Sequence, residues 1–237
     1  MKCQEILNEL KILSSEKYKA NVVRMGIPED TSLGVSIANL RKLAKEVKKS
    51  NNLAYQLWKT GYHEAKLLAT LIFEMEPLAI KEVERLMDDV ISWDLCDHLC
   101  KNLIIKQPYY NELIFTWIDS SHVYKKRASF VLMISSLIHD KNLLDSKIDD
   151  YLDLINEYSK DDHEHVKKSI SWALREIGKK NFTYNEKALI LAYELKDRED
   201  KNQVWIGKSA IKELEKLVKV SERKRLISTD RKMGKID

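Results

Sequence analysis

The stretch DHEHVKKSISWALREIGKK, Asp162–Lys180, decides the fold. Val166, Ile170, Ala173, Leu174 and Ile177 recur at helical spacing and define one apolar stripe. Lys168, Trp172, Arg175 and Lys179 recur at the same spacing on another face. At about 100° per residue, Trp172 lies roughly 200° around from Ile170, where a helix is expected to be wet. An indole flanked by three cations one turn apart suits an anionic ligand with an apolar part, and nucleic acid is the commonest such ligand. The same indole would also pack against a neighbouring helix with Lys stems lying over it. This helix alone leaves both readings open.

Working outward, every other segment with a clear period has the helical one. Helices are predicted over 2–14, 16–25, 37–48, 51–60, 62–75, 77–89, 93–105, 109–118, 122–139, 143–158, 163–179, 184–197 and 203–217. Ser36 and Ser92 stand where N-caps belong, and Pro77 stands at a first helical position, where its missing N–H costs little. Asp161 with Glu164, and Thr183 with Glu186, have capping-box spacing. Gly26, Gly34, Gly61, Gly178 and Gly207 are expected near helix ends or breaks. The connections are short, so consecutive helices are neighbours and run antiparallel. A dozen or so short helices cannot share one bundle core, but stacked pairs in a curved solenoid bury every stripe. The expectation is an all-α, HEAT-like helical-repeat solenoid with degenerate units. It forms one domain over residues 1–217, followed by a basic tail, 218–237. The run from Arg127 to Ile134 is apolar nearly all round and belongs deep in the stack.

Composition excludes several classes. Only 6 Gly and 3 Pro occur, which disfavours a turn-rich β protein. No apolar run is long enough to span a membrane, and the N-terminus is an amphipathic helix rather than a leader, so a cytoplasmic location and no membrane partner are expected. Cys3, Cys96 and Cys100 show no disulfide pattern, and Cys96, His98 and Cys100 lack the second cluster a zinc site needs. No metal or cofactor is expected, and the cysteines read as small buried hydrophobes. The tail from Val218 carries seven cations against three carboxylates, the whole net charge of +4. The rest is formally neutral, so any nucleic-acid binding there must come from segregated charge. Short basic tails are usually solvated and mobile.

Few residues suit chemistry. Trp93 and Asp97 are one turn apart on one face, with Leu95, Leu99 and Leu103 as the buried stripe roughly opposite. A carboxylate beside an aromatic face can stabilise a cation or orient a water, although an exposed helix aspartate has the same sequence signature. Asp94 reads as a helix-start residue. Arg127 lies inside the hydrophobic pattern and needs an anionic partner, either a carboxylate or a phosphate. No GxSxG, phosphate-binding glycine loop, GxGxxG or HExxH occurs.

Taken in order, SLGVSIANLRKLAKEV (Ser32–Val47), SWDLCDHL (Ser92–Leu99), YKKRASFVL (Tyr124–Leu132), VKKSISWALREIGKK (Val166–Lys180) and KSAIKELEK (Lys208–Lys216) resemble the AlkD-like DNA alkylation repair family. The resemblance implies a curved HEAT-like repeat whose basic concave face holds duplex DNA. It implies hydrolysis of the N-glycosidic bond of cationic alkylpurines, 3-methyladenine and 7-methylguanine, without a base-flipping pocket. It places Trp93, Asp97 and Trp172 at catalytic positions, and Arg127 and Arg175 at phosphate contacts; Lys168 and Lys179 join them as candidate DNA cations. The expected partner is double-stranded DNA with alkylated bases, met by a monomer. Two departures stand out. The family often has paired tryptophans where this chain has Ser92-Trp93, and for the family's N-terminal aromatic only Tyr18 is a candidate. Two rival readings share the scaffold: a catalytically silent binder of branched or bent DNA, and a protein-interaction scaffold of the HEAT type.

Overall fold

The computed structural model describes residues 1–74, 76–230 and Met233. Among them thirteen α-helices follow one another: α1 (Cys3–Ile12), α2 (Glu16–Arg24), α3 (Ile37–Glu46), α4 (Asn51–Lys59), α5 (His63–Ile72), α6 (Ile80–Asp88), α7 (Trp93–Asn102), α8 (Tyr110–Trp117), α9 (Val123–His139), α10 (Asp145–Tyr158), α11 (Glu164–Gly178), α12 (Phe182–Lys196) and α13 (Lys201–Leu214). All thirteen predicted helices are present, each within about a turn of its predicted bounds. A 3-10 turn, Ile104–Lys106, follows α7, and β1 (Leu217–Val218) pairs antiparallel with β2 (Ile227–Ser228). No helix among the described residues is long and apolar enough to cross a membrane. The chain divides into two compact units, Met1–Glu112 and Leu113–Asp237.

In the first unit α3, α5 and α7 lie side by side, while α4 packs on α5, and α1 packs on both α4 and α5. Leu40, Leu57, Leu68, Ile72, Leu95 and Leu99 are fully buried in its core. The first turn of α5 adds two buried polar residues. Glu64, 1% exposed, accepts from Ser32 Oγ at 3.0 Å and from the N–H groups of Leu33, Gly34 and Val35 at 2.8, 2.7 and 3.2 Å. A carboxylate in a helix's first turn is also favoured by the helix dipole. The loop so held passes close to α2: Gly34 has φ +79°, and a Cβ there would stand 2.5 Å from the Ser15 carbonyl oxygen. Only glycine meets both demands cheaply. His63, beside Glu64, is buried; its Nε2 lies 2.8 Å from Asp94 Oδ2 and its N–H donates to the Thr31 carbonyl. The start of α5 thus fixes the approach to α3, the start of α2 and the start of α7.

In the second unit α9, α11 and α13 form one layer and α10 and α12 pack against it. Every residue of α9 from Arg127 to Ser136 is buried, as its all-round apolar pattern requires. Gly207 sits in the interior of α13 rather than at a helix end, because a Cβ there would come within 2.4 Å of the Ala192 carbonyl and 2.6 Å of Lys196 N. The glycine lets α12 and α13 approach closely.

Some predicted start signals are displaced. Asn181, not Thr183, caps α12 by accepting from Tyr184 N, and His163, not Asp161, caps α11 by accepting from His165 N. Pro77 lies outside α6, which opens at Ile80 after Ala79. Ser36 caps α3 as predicted, through Asn39 N. The tail is less free than its charge suggests. Beyond the β1–β2 pairing, Leu226 is buried and its N–H donates to the Lys179 carbonyl, while Arg225 pairs with Glu176 at 2.9 Å. Its cations Arg231, Lys232 and Lys235 lie outside the described residues.

Two stability tests follow from the start of α5. In Glu64→Gln one oxygen becomes an N–H₂ facing backbone donors, leaving a buried N–H unmet. The expected loss is about 2 kcal/mol, read from the urea midpoint. At Asp94 burial opposes ionisation, but the bond and charge of His63, with smaller help from Ser92 and the Leu95 N–H, hold the carboxyl below its usual 3.8. A carboxyl lowered on folding stabilises above its unfolded pKa and loses that contribution as pH falls through the folded value. Stability of the wild type should therefore fall more steeply below about pH 4 than that of Asp94→Asn.

Candidate active site

Helix α7 carries the WxxxD pair. Its N-cap, Ser92, is completely buried, and its Oγ reaches no partner at hydrogen-bonding geometry, adding only a weak polar influence on Asp94. A small side chain fits this buried place. Trp93 follows as the first helical residue. Its indole Nε1 donates to the Met25 carbonyl at the end of α2, at 3.1 Å, so the ring is held at its polar edge. Leu95, Leu99 and Leu103 are buried on the opposite side, and Cys96 and Cys100 fill the core between.

Trp93, Asp94, Asp97, His98 and Lys101 from α7 face Tyr18, Asn21 and Val22 from α2, and Met25 just after it, across an open cleft of about 220 Å³ that Ile27 and Ile37 also line. Asp97 is not an exposed helix aspartate. It is 7% exposed, and Lys101 Nζ stands 3.8 Å from its Oδ2. Burial lowers the pKa of His98, with further lowering from Lys101 and Arg41 and an opposing influence from Asp94 and Asp97. Asn102 Nδ2 lies 3.2 Å from His98 Nδ1 and can only donate, an arrangement that favours the tautomer with its proton on Nε2. The cleft therefore holds two carboxylates, one lysine and one imidazole between aromatic walls.

The other predicted site residues lie in the second unit. Arg127 is 5% exposed, and its guanidinium donates to the His165 carbonyl at 2.7 Å, joining α9 to α11. Tyr124 stacks on the His165 ring, with centroids 5.9 Å apart. Trp172 is half-buried on α11. The three cations of its face are each matched by carboxylates. Lys168 pairs with Glu164 at 3.1 Å, Arg175 with Glu213 at 2.9 Å, and Lys179 with Glu176 and Glu213 at 2.8 and 2.7 Å. Arg175 also donates to Ser171 Oγ and Ser209 Oγ. Lys167, one position earlier, lies over the Trp205 ring at 5.1 Å. These contacts advance together along both helices, so α11 and α13 run parallel and share a polar seam.

Trp93 and Asp97 thus share a cleft, Arg127 meets α11, and Arg175 and Lys179 share one carboxylate. Tyr18, a bare candidate in the sequence, lines the same cleft as Asp97. Three polar cleft residues went unpredicted: Asn21, His98 and Lys101. His98 stands four positions after Asp94 and Lys101 four after Asp97, so helical spacing alone could have found them.

A family model described as "DNA alkylation repair enzyme" matches residues 6–214. A solved structure described as "A new family of proteins related to the HEAT-like repeat DNA glycosylases with affinity for branched DNA structures" is similar with a TM-score of 0.75 and 22% identity, over 90% of this chain and 95% of that one. No curated protein matches the chain. The likeness establishes the all-α, HEAT-like repeat fold, and the extent of the family match settles membership: the chain belongs to the DNA alkylation repair enzyme family.

Proposed function

We propose that this protein is a DNA glycosylase that hydrolyses the N-glycosidic bond of cationic alkylpurines, such as 3-methyladenine and 7-methylguanine, in duplex DNA. The observation that carries the proposal is the buried Asp97 carboxylate in one cleft with Trp93 and Tyr18. An N-alkylated purine already bears positive charge and leaves without protonation. As the C1′–N bond breaks, its electron pair neutralises the purine and the charge moves to the deoxyribose. Asp97 stabilises that cation and orients the water whose oxygen adds to C1′, with a proton released. The face of Trp93 adds cation–π stabilisation. Its indole N–H, fixed on Met25, spares the ring a search for its orientation.

The size of the cleft, Asp94 and His98 suit this chemistry. At about 220 Å³ it is smaller than the pockets of about 300–1,000 Å³ that enclose small ligands, and so suits an exposed sugar better than an engulfed nucleotide. The Asp94 carboxyl, held below its usual range, favours a cation, and burial of His98 disfavours its protonated form. In this reading Trp172 packs on the sugar beside the lesion, Arg127 and Arg175 contact phosphate, and Lys168 and Lys179 add to the DNA-facing charge. Double-stranded DNA is the partner and the protein acts as a monomer.

Asp97→Asn should lower single-turnover excision of 7-methylguanine by about 10²–10³-fold while duplex binding is retained. Excision within a few-fold of wild type would remove Asp97 from the mechanism. The need for a leaving group that already carries positive charge predicts the substrate range. Offered duplexes with 7-methylguanine, 1,N6-ethenoadenine or uracil under one set of conditions, the protein should release only the first, leaving an abasic site. Rapid uracil release, or an adduct trapped with borohydride, would overturn the reaction scheme.

A further inference from the structure

Lys101 is the one amine among the residues that line the cleft. It lies one turn beyond Asp97 on α7, and its Nζ is 3.8 Å from Asp97 Oδ2. That separation allows a Coulomb interaction but exceeds hydrogen-bond range, so this contact does not hold the amine tightly. The two side chains differ in access: 39% of the Lys101 side chain is exposed, against 9% of Asp97. Acid four residues before base is also the favourable order for a helical pair.

The pairing opposes the proposed chemistry. A carboxylate that must stabilise a developing cation is weakened by a cation already beside it. Bound DNA would bring a competing anion to the cleft mouth, and phosphate attracts an ammonium as a point charge. The four-carbon stem of lysine lets the charge swing while its root stays on α7. Asp97 is buried and cannot follow. We propose that Lys101 is a DNA-phosphate-binding residue that screens Asp97 in the free protein and leaves it when duplex docks, so that substrate binding itself exposes the carboxylate. This rests on the glycosylase reading only for its last step; the exchange of partners by Lys101 concerns binding alone.

The test uses the full chain and a fluorescent undamaged duplex, with binding followed as salt is raised. Loss of one phosphate contact changes the slope of log K against log salt by about 0.9. Lys101→Ala should show that change and Lys101→Arg should not. The exchange also predicts coupling. Asp97→Asn removes the carboxylate charge from this pair and should tighten duplex binding by about twofold, the scale of an exposed helical ion pair, but should have no such effect when Lys101 is already alanine. An unchanged salt slope, or equal effects of Asp97→Asn in both backgrounds, would overturn the proposal. If wild type released no base at all, the glycosylase reading would fall, while the slope and the coupling would still decide the role of Lys101.

Discussion

A buried carboxylate at the start of α5 organises the first unit. Glu64 gathers one hydroxyl and three backbone N–H groups from residues 32–35, a segment with no regular structure in which to spend those donors. Buried donors of that kind are costly when unmet, so the loop has little choice of path. That path sets Gly34 against the start of α2, and α2 is one wall of the cleft. His63, the preceding residue, holds Asp94 and thereby the start of the other wall, α7. The geometry of Trp93 and Asp97 therefore depends on two adjacent polar residues that need not touch substrate.

Charge is distributed with the same economy. The chain before the tail is formally neutral, and the cations on the Trp172 face are matched by Glu164, Glu176 and Glu213. Glu213 serves two of them, drawing α13 to α11. Such pairs contribute little individually at an exposed surface, but shared and partly buried ones orient their members. A phosphate approaching Arg175 would meet a guanidinium already aimed by two serine hydroxyls.

The helices were legible because helical periodicity is a property of each segment alone. The stripe at Val166, Ile170, Ala173, Leu174 and Ile177 is buried along its whole length, and the all-round apolar α9 is buried too. Trp93 with Asp97 was legible as a shared face, but the spacing could not distinguish an exposed aspartate from a buried one. That depends on α2, about seventy residues earlier. Glu64 shows the same limit, since its donors lie some thirty residues away in sequence. Gly207 looked like a helix break because glycine is a poor helix former; its reason is the backbone of α12, which no local pattern reveals. The cap residues moved by two positions because several polar side chains compete for the same helix start. The tail's fold rests on Leu226 and the Lys179 carbonyl rather than on its many charges.

The bond from Trp93 to Met25 has a different kind of consequence. Its acceptor is a main-chain carbonyl, so the contact does not depend on which side chain occupies position 25. That position is free to drift over evolutionary time without unseating the indole. An insertion or deletion within α2 is another matter, since it would carry the carbonyl around the helix axis and leave the ring without its tether. Around this tryptophan, selection should therefore constrain the length of a helix more tightly than the identity of the residue it touches.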